Sequence, residues 1–503
     1  MQITELDMDF IIREVSRRVN QNQATGSHDR VVQAVANAGS VNSAGNDTAN
    51  LLGVFKSMPE AIDAADLAQK LYVSRFNIKD RSAIVAAIRK QCGEQVRELA
   101  RMAHQETGLG RFEDKVLKNQ LIIEKTPGPE FLSTEAISGD SGLTLVEAAP
   151  FGVIGAITPT TNPTSTIINN AISMISGGNA VCFNVHPSAK KCCAYTVHLI
   201  NQAILSVAPD LKYLVTMVQE PSMETVKELT ESPKIRLMVG TGGSAMVRSL
   251  LKSGKKTIGA GAGNPPVIVD DTADLKKAGQ ELFAGASFDN NVLCLAEKEV
   301  FVLQNVADDL IFQLIQAGAF MLNHEQARQI KELVLDKEEV PCQTGCTGNV
   351  RTVYHPSKKW VGKDAGLMLE QIGITGKRDV RLLIFEAQAD DPMVLTEQLM
   401  PILPIVRCKD FNEAVSHALR AEHGNRHTAS IFSKNVDHLT QFARAIETTI
   451  FVKNANTLAG VGFGGEGFTT MTIAGPTGEG LTNVRSFTRQ RRCVLGDGGM
   501  RIL

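Results

Sequence analysis

Three loops of this chain carry residue types at spacings that suit chemistry on a small electrophile. The first reads Thr158-Pro-Thr-Thr-Asn162-Pro-Thr164 and follows an apolar run at 151–157. Its prolines stiffen the backbone, and an amide at the C-terminal end of a buried parallel strand can donate hydrogen bonds into a ligand crevice. The plainer alternative is an asparagine that only closes a turn. The second loop reads Gly240-Thr-Gly-Gly-Ser244, after apolar residues at 235–239. Strand, glycine-rich turn and helix form a phosphate-binding arrangement, because free N–H groups at a helix start attract anions. The motif is neither G-x-G-x-x-G nor a P-loop ending in Lys-Ser/Thr, so a close helix–strand turn explains it equally well. The third is Gly285-Ala-Ser-Phe-Asp-Asn-Asn-Val-Leu-Cys294-Leu-Ala-Glu297. Most buried cysteines are small hydrophobes. Cys294, however, follows a polar Asp-Asn-Asn run that predicts an accessible loop, and an accessible thiol can be a nucleophile.

These loops need a scaffold that presents them together. Apolar residues recur at helical spacing in 61–73 and 81–92, with Ser57 and Glu60 at capping-box spacing and Pro59 in the first turn. Residues 143–149 read as a strand, 167–175 as a helix, 180–185 as a strand and 190–207 as a helix. Short buried strands are predicted at 214–218 and 235–239, with a helix between them. A second alternating series starts near Val267 and runs through Val300, 307–321, 382–385 and 411–421. Such alternation predicts parallel sheets covered by helices on both faces, in two successive α/β lobes. Further on, 460–467 holds five glycines, and 482–495 is predicted to be an exposed strand whose edge pairs with another chain.

Composition narrows the function classes. The 503 residues allow about two to four domains. The 52 basic and 54 acidic residues leave a charge of -2, so the basic footprint of a nucleic-acid binder is absent. No apolar run is long enough to span a membrane. With aromatics at 5% and glycine at 42 residues, a Gly-rich α/β enzyme is favoured over an aromatic-rich binding surface. The nine cysteines follow no secretory signal, so reduced thiols in a cytoplasmic compartment are expected. Cys182 lies in an apolar strand and is expected to pack; Cys342 and Cys346 have no histidine nearby, and no metal site is predicted.

The first residues are a separate object. In 1–19, Leu6, Phe10, Ile11, Val15 and Val19 share one side of a helix, while acids and arginines fill the rest. Residues 20–51 are rich in Asn, Gln, Ala, Ser, Thr and Gly, and read as a flexible linker. A tethered amphipathic helix either packs on its own or a neighbouring subunit, or docks in a partner's groove. A membrane-surface role is disfavoured, because the polar face mixes both charges.

Taken together, the loops resemble the aldehyde dehydrogenase superfamily over about residues 52 to 495. The matching pieces are Pro159–Pro163, Thr241-Gly242, the segment Gly261-Ala-Gly-Asn-Pro265, Cys294 some thirty residues later, and Glu397 ahead of Pro401. The resemblance implies two Rossmann-like α/β domains with a β-strand oligomerisation arm. It places an NAD/CoA-binding domain at 52–262 (with an oligomerisation strand segment at 137–149), a catalytic domain at 263–469 and a C-terminal oligomerisation arm at 470–503. It makes Cys294 the nucleophile, and Asn162 with the Cys294 N–H the oxyanion donors. It puts Thr241, Gly242 and Gly243 at a pyrophosphate and Glu397, with Leu399 beside it, at the nicotinamide ribose. Further cofactor contacts are implied from Thr158, Pro159, Thr160, His186, Pro187 and Gly259.

The departures narrow the reading. Hydrolytic members carry a glutamate general base where this chain has Gly259, which cannot take a proton. Their Lys-Pro-Ser-Glu adenosine contact is here His186-Pro-Ser-Ala189. A thiol co-substrate does not need that base, because it is partly ionised near neutral pH and attacks thioesters well. The chain therefore resembles the CoA-acylating members, and most nearly the propionaldehyde and acetaldehyde dehydrogenases of propanediol and ethanolamine utilisation. The stretches Lys255–Pro266, Ala296-Glu-Lys298, Glu397–Pro404, Gly464–Phe468 and Pro476–Gly480 carry this closer likeness. It implies NAD and coenzyme A as co-substrates, a homodimer or homotetramer, and targeting of residues 1–19 to a shell or cargo protein of a bacterial microcompartment. No alcohol dehydrogenase domain is expected. Alternatives kept open are a hydrolytic enzyme using another base such as Glu297, a reductase of acyl phosphates, and a non-catalytic shell-associated protein. The aldehyde, and NAD over NADP, are left open by the residues.

Overall fold

The computed structural model describes residues 51–341 and 350–498. The chain falls into two units, Met1–Asp47 and Thr48–Leu503. The expected helix at 1–19, all but the last residue of the 20–51 linker, Cys342, Cys346 and the final residues of the 470–503 segment lie outside the described residues.

Two helices open the described chain. Met58–Arg75 starts where the Ser57 side chain accepts from the Glu60 N–H, with Pro59 tolerated in the first turn. Ile78–Glu94 starts at a full capping box: Asn77 accepts from the backbone of Lys79 and Asp80, and Asp80 accepts from the Asn77 N–H. Both bury an apolar stripe that includes Ile62, Tyr72, Ile84 and Ile88 against the first sheet's core.

That sheet is six-stranded and wholly parallel. Its order is Val54–Phe55, Val215–Val218, Ala180–Asn184, Val153–Ile157, Ile235–Thr241, Lys256–Ala260. The central strands are buried along their whole length, which is why they read as unbroken apolar runs. Burial of residues such as Ile154, Val181 and Met217 contributes about 1.5–3 kcal/mol each and fixes the register. In that register Ile157 lies opposite both Asn184 and Gly240. Later strands step to one side of Val153–Ile157 and then to the other. The reversal opens a crevice beyond the C-terminal ends of Val153–Ile157 and Ile235–Thr241, where open α/β sheets take ligands.

The second sheet has seven parallel strands, ordered Phe320–Met321, Leu383–Glu386, Ile402–Cys408, Glu299–Leu303, Pro266–Val269, Thr428–Phe432, Ile450–Lys453. The two-lobe expectation is thus met. The stretch 307–321 holds two elements: the helix Ala307–Ala317 ends at Gly318, whose φ of 113° breaks it before the short strand Phe320–Met321. An antiparallel hairpin, Leu335–Pro341 with Val350–Pro356, was not anticipated.

A third, antiparallel sheet is ordered Glu135–Gly139, Gly142–Pro150, Thr488–Leu495. The expected strand at 482–495 is shortened, because Val484–Phe487 forms a tight 3₁₀ turn capped by Asn483 and tied down through Arg485 to Phe131 O and Ser133 Oγ. Thr488–Leu495 pairs with Gly142–Pro150 of its own chain, from Thr488 opposite Pro150 to Leu495 opposite Leu143. It is the last strand of that sheet. Among the described residues no helix is long and apolar enough to cross a membrane.

Candidate active site

The loop after Val153–Ile157 runs directly into the helix Pro163–Ser176, and Asn162 is that helix's N-cap residue. Its backbone carbonyl closes the first turn, accepting from Thr166 N at 3.0 Å and Thr166 Oγ1 at 2.6 Å. Its side chain makes no capping bond. The turn-closing duty is therefore met by the backbone, and the amide is left for other partners. Its Oδ1 accepts from Lys118 Nζ at 2.6 Å, and its Nδ2 donates to Thr161 Oγ1 at 3.2 Å.

The cysteine loop overturns one expectation. Asp289, Asn290 and Asn291 do not form an accessible segment; all three are buried, and all three have left-handed backbone, with φ of 48°, 53° and 60°. Such conformations cost on the order of 1–3 kcal/mol each and persist only where their surroundings hold them. Here the Asp289 carboxylate accepts from Arg111 N at 2.8 Å, Lys115 Nζ at 3.1 Å and Lys118 Nζ at 2.5 Å. Those two ammonium groups outweigh burial and hold its carboxyl below the usual range. Asn290 donates to Gly362 O and Asp364 Oδ1, and Asn291 donates to Ala286 O and Glu297 O. A polar sequence reads as exposed, but here the Asp289 carboxylate and the Asn290 and Asn291 amide N–H groups find partners in distant parts of the chain or in the loop itself, and only the Asn290 Oδ1 is left without one.

Beyond this knot the backbone wraps the buried Lys298 ammonium, which donates to Asn291 O, Asn291 Oδ1, Leu293 O and Ala296 O. The carbonyls on either side of Cys294 are thereby fixed to one cation. Cys294 itself is only partly buried. Burial pushes its thiol up to about 12, and the nearby Glu397 carboxylate adds to this, while the Lys298 charge and the N–H groups of Cys294 and Leu295 oppose it.

The opposite wall comes from the segment 261–265 and the loop around Glu397. Gly263 N donates to Glu397 Oε1 at 3.3 Å. A Cβ on Gly263 would stand 2.6 Å from Cys294 O and 2.9 Å from His427 Cγ, so this glycine allows two loops to touch. Burial raises Glu397 to about 7 despite Lys298. Next to it, Leu399 has a left-handed φ of 51° and accepts from Gly362 N.

Between these walls lies a cavity of about 350 Å³. It is lined by ten of the thirteen residues singled out above: Cys294, Asn162, Pro159, Thr160, His186, Thr241, Gly242, Gly243, Glu397 and Leu399. Three fall outside its lining. Thr158 is buried just past the C-terminal end of the interior strand Val153–Ile157. Pro187 starts an exposed 3₁₀ turn that His186 caps through Nδ1. Gly259 lies in the strand Lys256–Ala260, its N–H bonded to Thr477 Oγ1. A Cβ at Gly259 would meet Val247 Cγ1 at 2.5 Å, so a side chain there would have to displace Val247. Glu297, the base of the hydrolytic alternative, is fully buried and absent from the cavity lining, accepting from Thr457 N at 2.6 Å. Sequence reasoning missed Met246, Val292, Met471 and Ile473 on the lining, and Lys118, Lys298 and His427 behind it. Met471 and Ile473 fall in the 470–503 segment, which thus reaches the cavity before its last strand joins the arm.

The cavity fits a nucleotide. Gly243 precedes the helix Ser244–Leu251, and a Cβ there would meet nothing within 4 Å, leaving an open approach to the helix start. Glu397 lines the same cavity, with one carboxylate oxygen bonded to Gly263 N and the other able to accept from a ribose hydroxyl. Cys294 and Asn162 line the same cavity, and Glu397 is its only carboxylate among the described residues.

Comparison with known proteins bears on this arrangement. The pattern of the aldehyde dehydrogenase family matches residues 54–329 and 379–484. An acetylating acetaldehyde dehydrogenase of Bilophila wadsworthia is 43% identical over 500 residues, covering 99% of both chains. A propionaldehyde dehydrogenase from the Clostridium phytofermentans fucose utilisation bacterial microcompartment has a solved structure that superposes with a TM-score of 0.84 at 46% identity, covering 90% of this chain and 100% of that one. A propionaldehyde dehydrogenase of Rhodopseudomonas palustris, solved with bound CoA and an acylated cysteine, gives a TM-score of 0.82 at 46% identity over 88% of this chain and 98% of that one.

Proposed function

This chain belongs to the aldehyde dehydrogenase family, and from that premise we propose that it oxidises a short-chain aldehyde with NAD⁺ and CoA to acyl-CoA and NADH, reversibly, through Cys294. The observation that carries the proposal is the pairing of a cavity thiol and amide with a Gly259 position that holds no carboxylate. Similarity to acylating relatives, one of them solved with CoA and an acylated cysteine, supports the same reading.

The Cys294 thiolate attacks the aldehyde carbon, forming a C–S bond. The developing oxyanion accepts from the free Nδ2–H of Asn162 and from the Cys294 backbone N–H, in a site that keeps most water out. Bound NAD⁺ supplies the hydride acceptor. Thr241, Gly242 and Gly243 would hold its pyrophosphate and Glu397 its nicotinamide ribose, with Leu399, Pro159, Thr160 and His186 around them. The thioacyl group left on Cys294 is transferred to the CoA thiolate, which restores the Cys294 thiolate and gives the acyl-CoA. No general base is needed for that step, in agreement with Gly259. In purified Cys294→Ala we expect both aldehyde oxidation and acyl-CoA reduction to vanish; turnover above a few per cent of the unsubstituted enzyme would remove Cys294 from the mechanism.

The same reading extends to assembly. Residues 1–19 are proposed as a peptide that docks the enzyme to a shell or cargo protein inside a bacterial microcompartment, a location supported by the source of one structural relative. The edge strand Thr488–Leu495 exposes Val494 and Leu495, and Ile137 is exposed in the same sheet. These residues support a homodimer or homotetramer built through this arm.

A further inference from the structure

Beneath the cavity lies a buried lysine that the mechanism above does not use. Lys118, on the helix Phe112–Lys125, is 4% exposed. Its ammonium bridges Asn162 Oδ1 and Asp289 Oδ2. A purely structural account would make it a cross-link between this helix and the cysteine loop. Lys115 already supplies that link, to the same Asp289 oxygen. The second bond, to Asn162, needs its own explanation.

The chemistry of the two partners provides one. An asparagine amide is nearly symmetric in shape, so turning it by 180° exchanges an acceptor for a donor at almost no steric cost. An ammonium group has three donors and no acceptor. It can face only Oδ1, and turning the amide would set N–H against N–H in a buried site. Nδ2 is therefore kept on the far side of the amide. Its protein partner there is Thr161 Oγ1, which takes one hydrogen and leaves the other for the cavity that Asn162 shares with Cys294. Asp289 holds Lys118 in turn and, being on the cysteine loop, ties the donor and the nucleophile to one ion-paired cluster.

We propose that Lys118 is a positioning residue for the acylation step, locking the Asn162 amide with its N–H toward the oxyanion and its oxygen away; this rests on the reading of Asn162 as an oxyanion donor. The test is a double-mutant cycle on the full chain: Lys118→Met, Asn162→Ala and the double variant, with the single-turnover rate of NADH formation and the KM values measured for each. Asn162→Ala should slow acylation by about 10²–10³-fold. Lys118→Met should slow it by about 10–10²-fold, with KM for aldehyde and NAD⁺ changed less than threefold, since a freed amide presents its donor only part of the time. In the Asn162→Ala background, Lys118→Met should cost less than a further twofold, because its target is gone. Lys118→Gln, which keeps an N–H to offer Oδ1, should recover much of the rate. If Lys118→Met does not fold with Asp289 left to Lys115 alone among the ammonium groups, Lys118→Met/Asp289→Asn carries the same comparison. Equal losses in both backgrounds, or an unchanged acylation rate, would overturn the proposal. A wild-type chain that forms no NADH with aldehyde, NAD⁺ and CoA would sink the functional reading itself, and the proposal with it.

Discussion

Gly263→Ala is the substitution whose outcome the geometry specifies most closely. The new methyl carbon would stand 2.6 Å from Cys294 O, about 0.8 Å short of the 3.4 Å at which ordinary contact begins. The obstacle is backbone, and that backbone cannot swing freely, because the carbonyls of Leu293 and Ala296 on either side are bonded to Lys298. On the other side the methyl would press on the buried His427 ring at 2.9 Å. Either the cysteine loop or the segment carrying Gly263 must yield, and the second choice strains the Gly263 N–H bond to Glu397. Overpacking of this kind costs roughly 1–3 kcal/mol of stability, which the fold tolerates. A displacement approaching 1 Å at the nucleophile costs about 10²-fold in rate. Stopped-flow measurement of the first NADH turnover, with circular dichroism to verify folding, should therefore find a folded enzyme that acylates about a hundredfold more slowly. A variant within threefold of wild type would mean that the Gly263 contact does not set the position of the thiol.

Two further expectations concern the charges around the thiol. Lys298→Met removes a buried cation from four oxygens and from the neighbouring Glu297, Glu299 and Glu397. Breaking a buried pair from one side costs about 3–5 kcal/mol, so its urea midpoint should fall clearly and its activity with it; an unchanged midpoint would refute the cradle. Because the thiol lies near 12 without cofactor, iodoacetamide labelling of Cys294 should rise about tenfold per pH unit from pH 7 to 10. Cys294→Ala subtracts the background from the exposed Cys493. A plateau below pH 9 would contradict the dominance of burial.

How far the sequence carried is clearest at individual residues. The helix Lys190–Val207 matches its sequence-based bounds, because its apolar spacing, length and flanking strands all agree. Asn162 and Thr241 lie at or just beyond the C-terminal ends of neighbouring strands, a position that follows from strand–loop–helix order, since a parallel sheet delivers those ends to one crevice; Cys294 instead precedes the strand Glu299–Leu303 and is not placed by that rule. Asp289–Asn291 was misread, because its burial rests on Arg111, Lys115 and Lys118, more than a hundred residues away, and nothing local announces them. Lys298 was quoted only as part of a likeness; its role depends on four carbonyl directions that no residue pattern encodes. Met471 and Ile473 were hidden for a similar reason, being brought to the cavity by a short hairpin, Ile473–Ala474 with Gly480–Leu481, in a stretch that reads as an arm.

The central claim is that a thiol, and not an activated water, releases the acyl group from Cys294. NADH formation by the purified enzyme with a C2–C4 aldehyde and NAD⁺, followed with and without CoA, tests it most directly. The account predicts sustained NADH production with CoA and, without it, a burst of about one NADH per active site followed by arrest. Sustained production at a similar rate without CoA, yielding carboxylate, would contradict it.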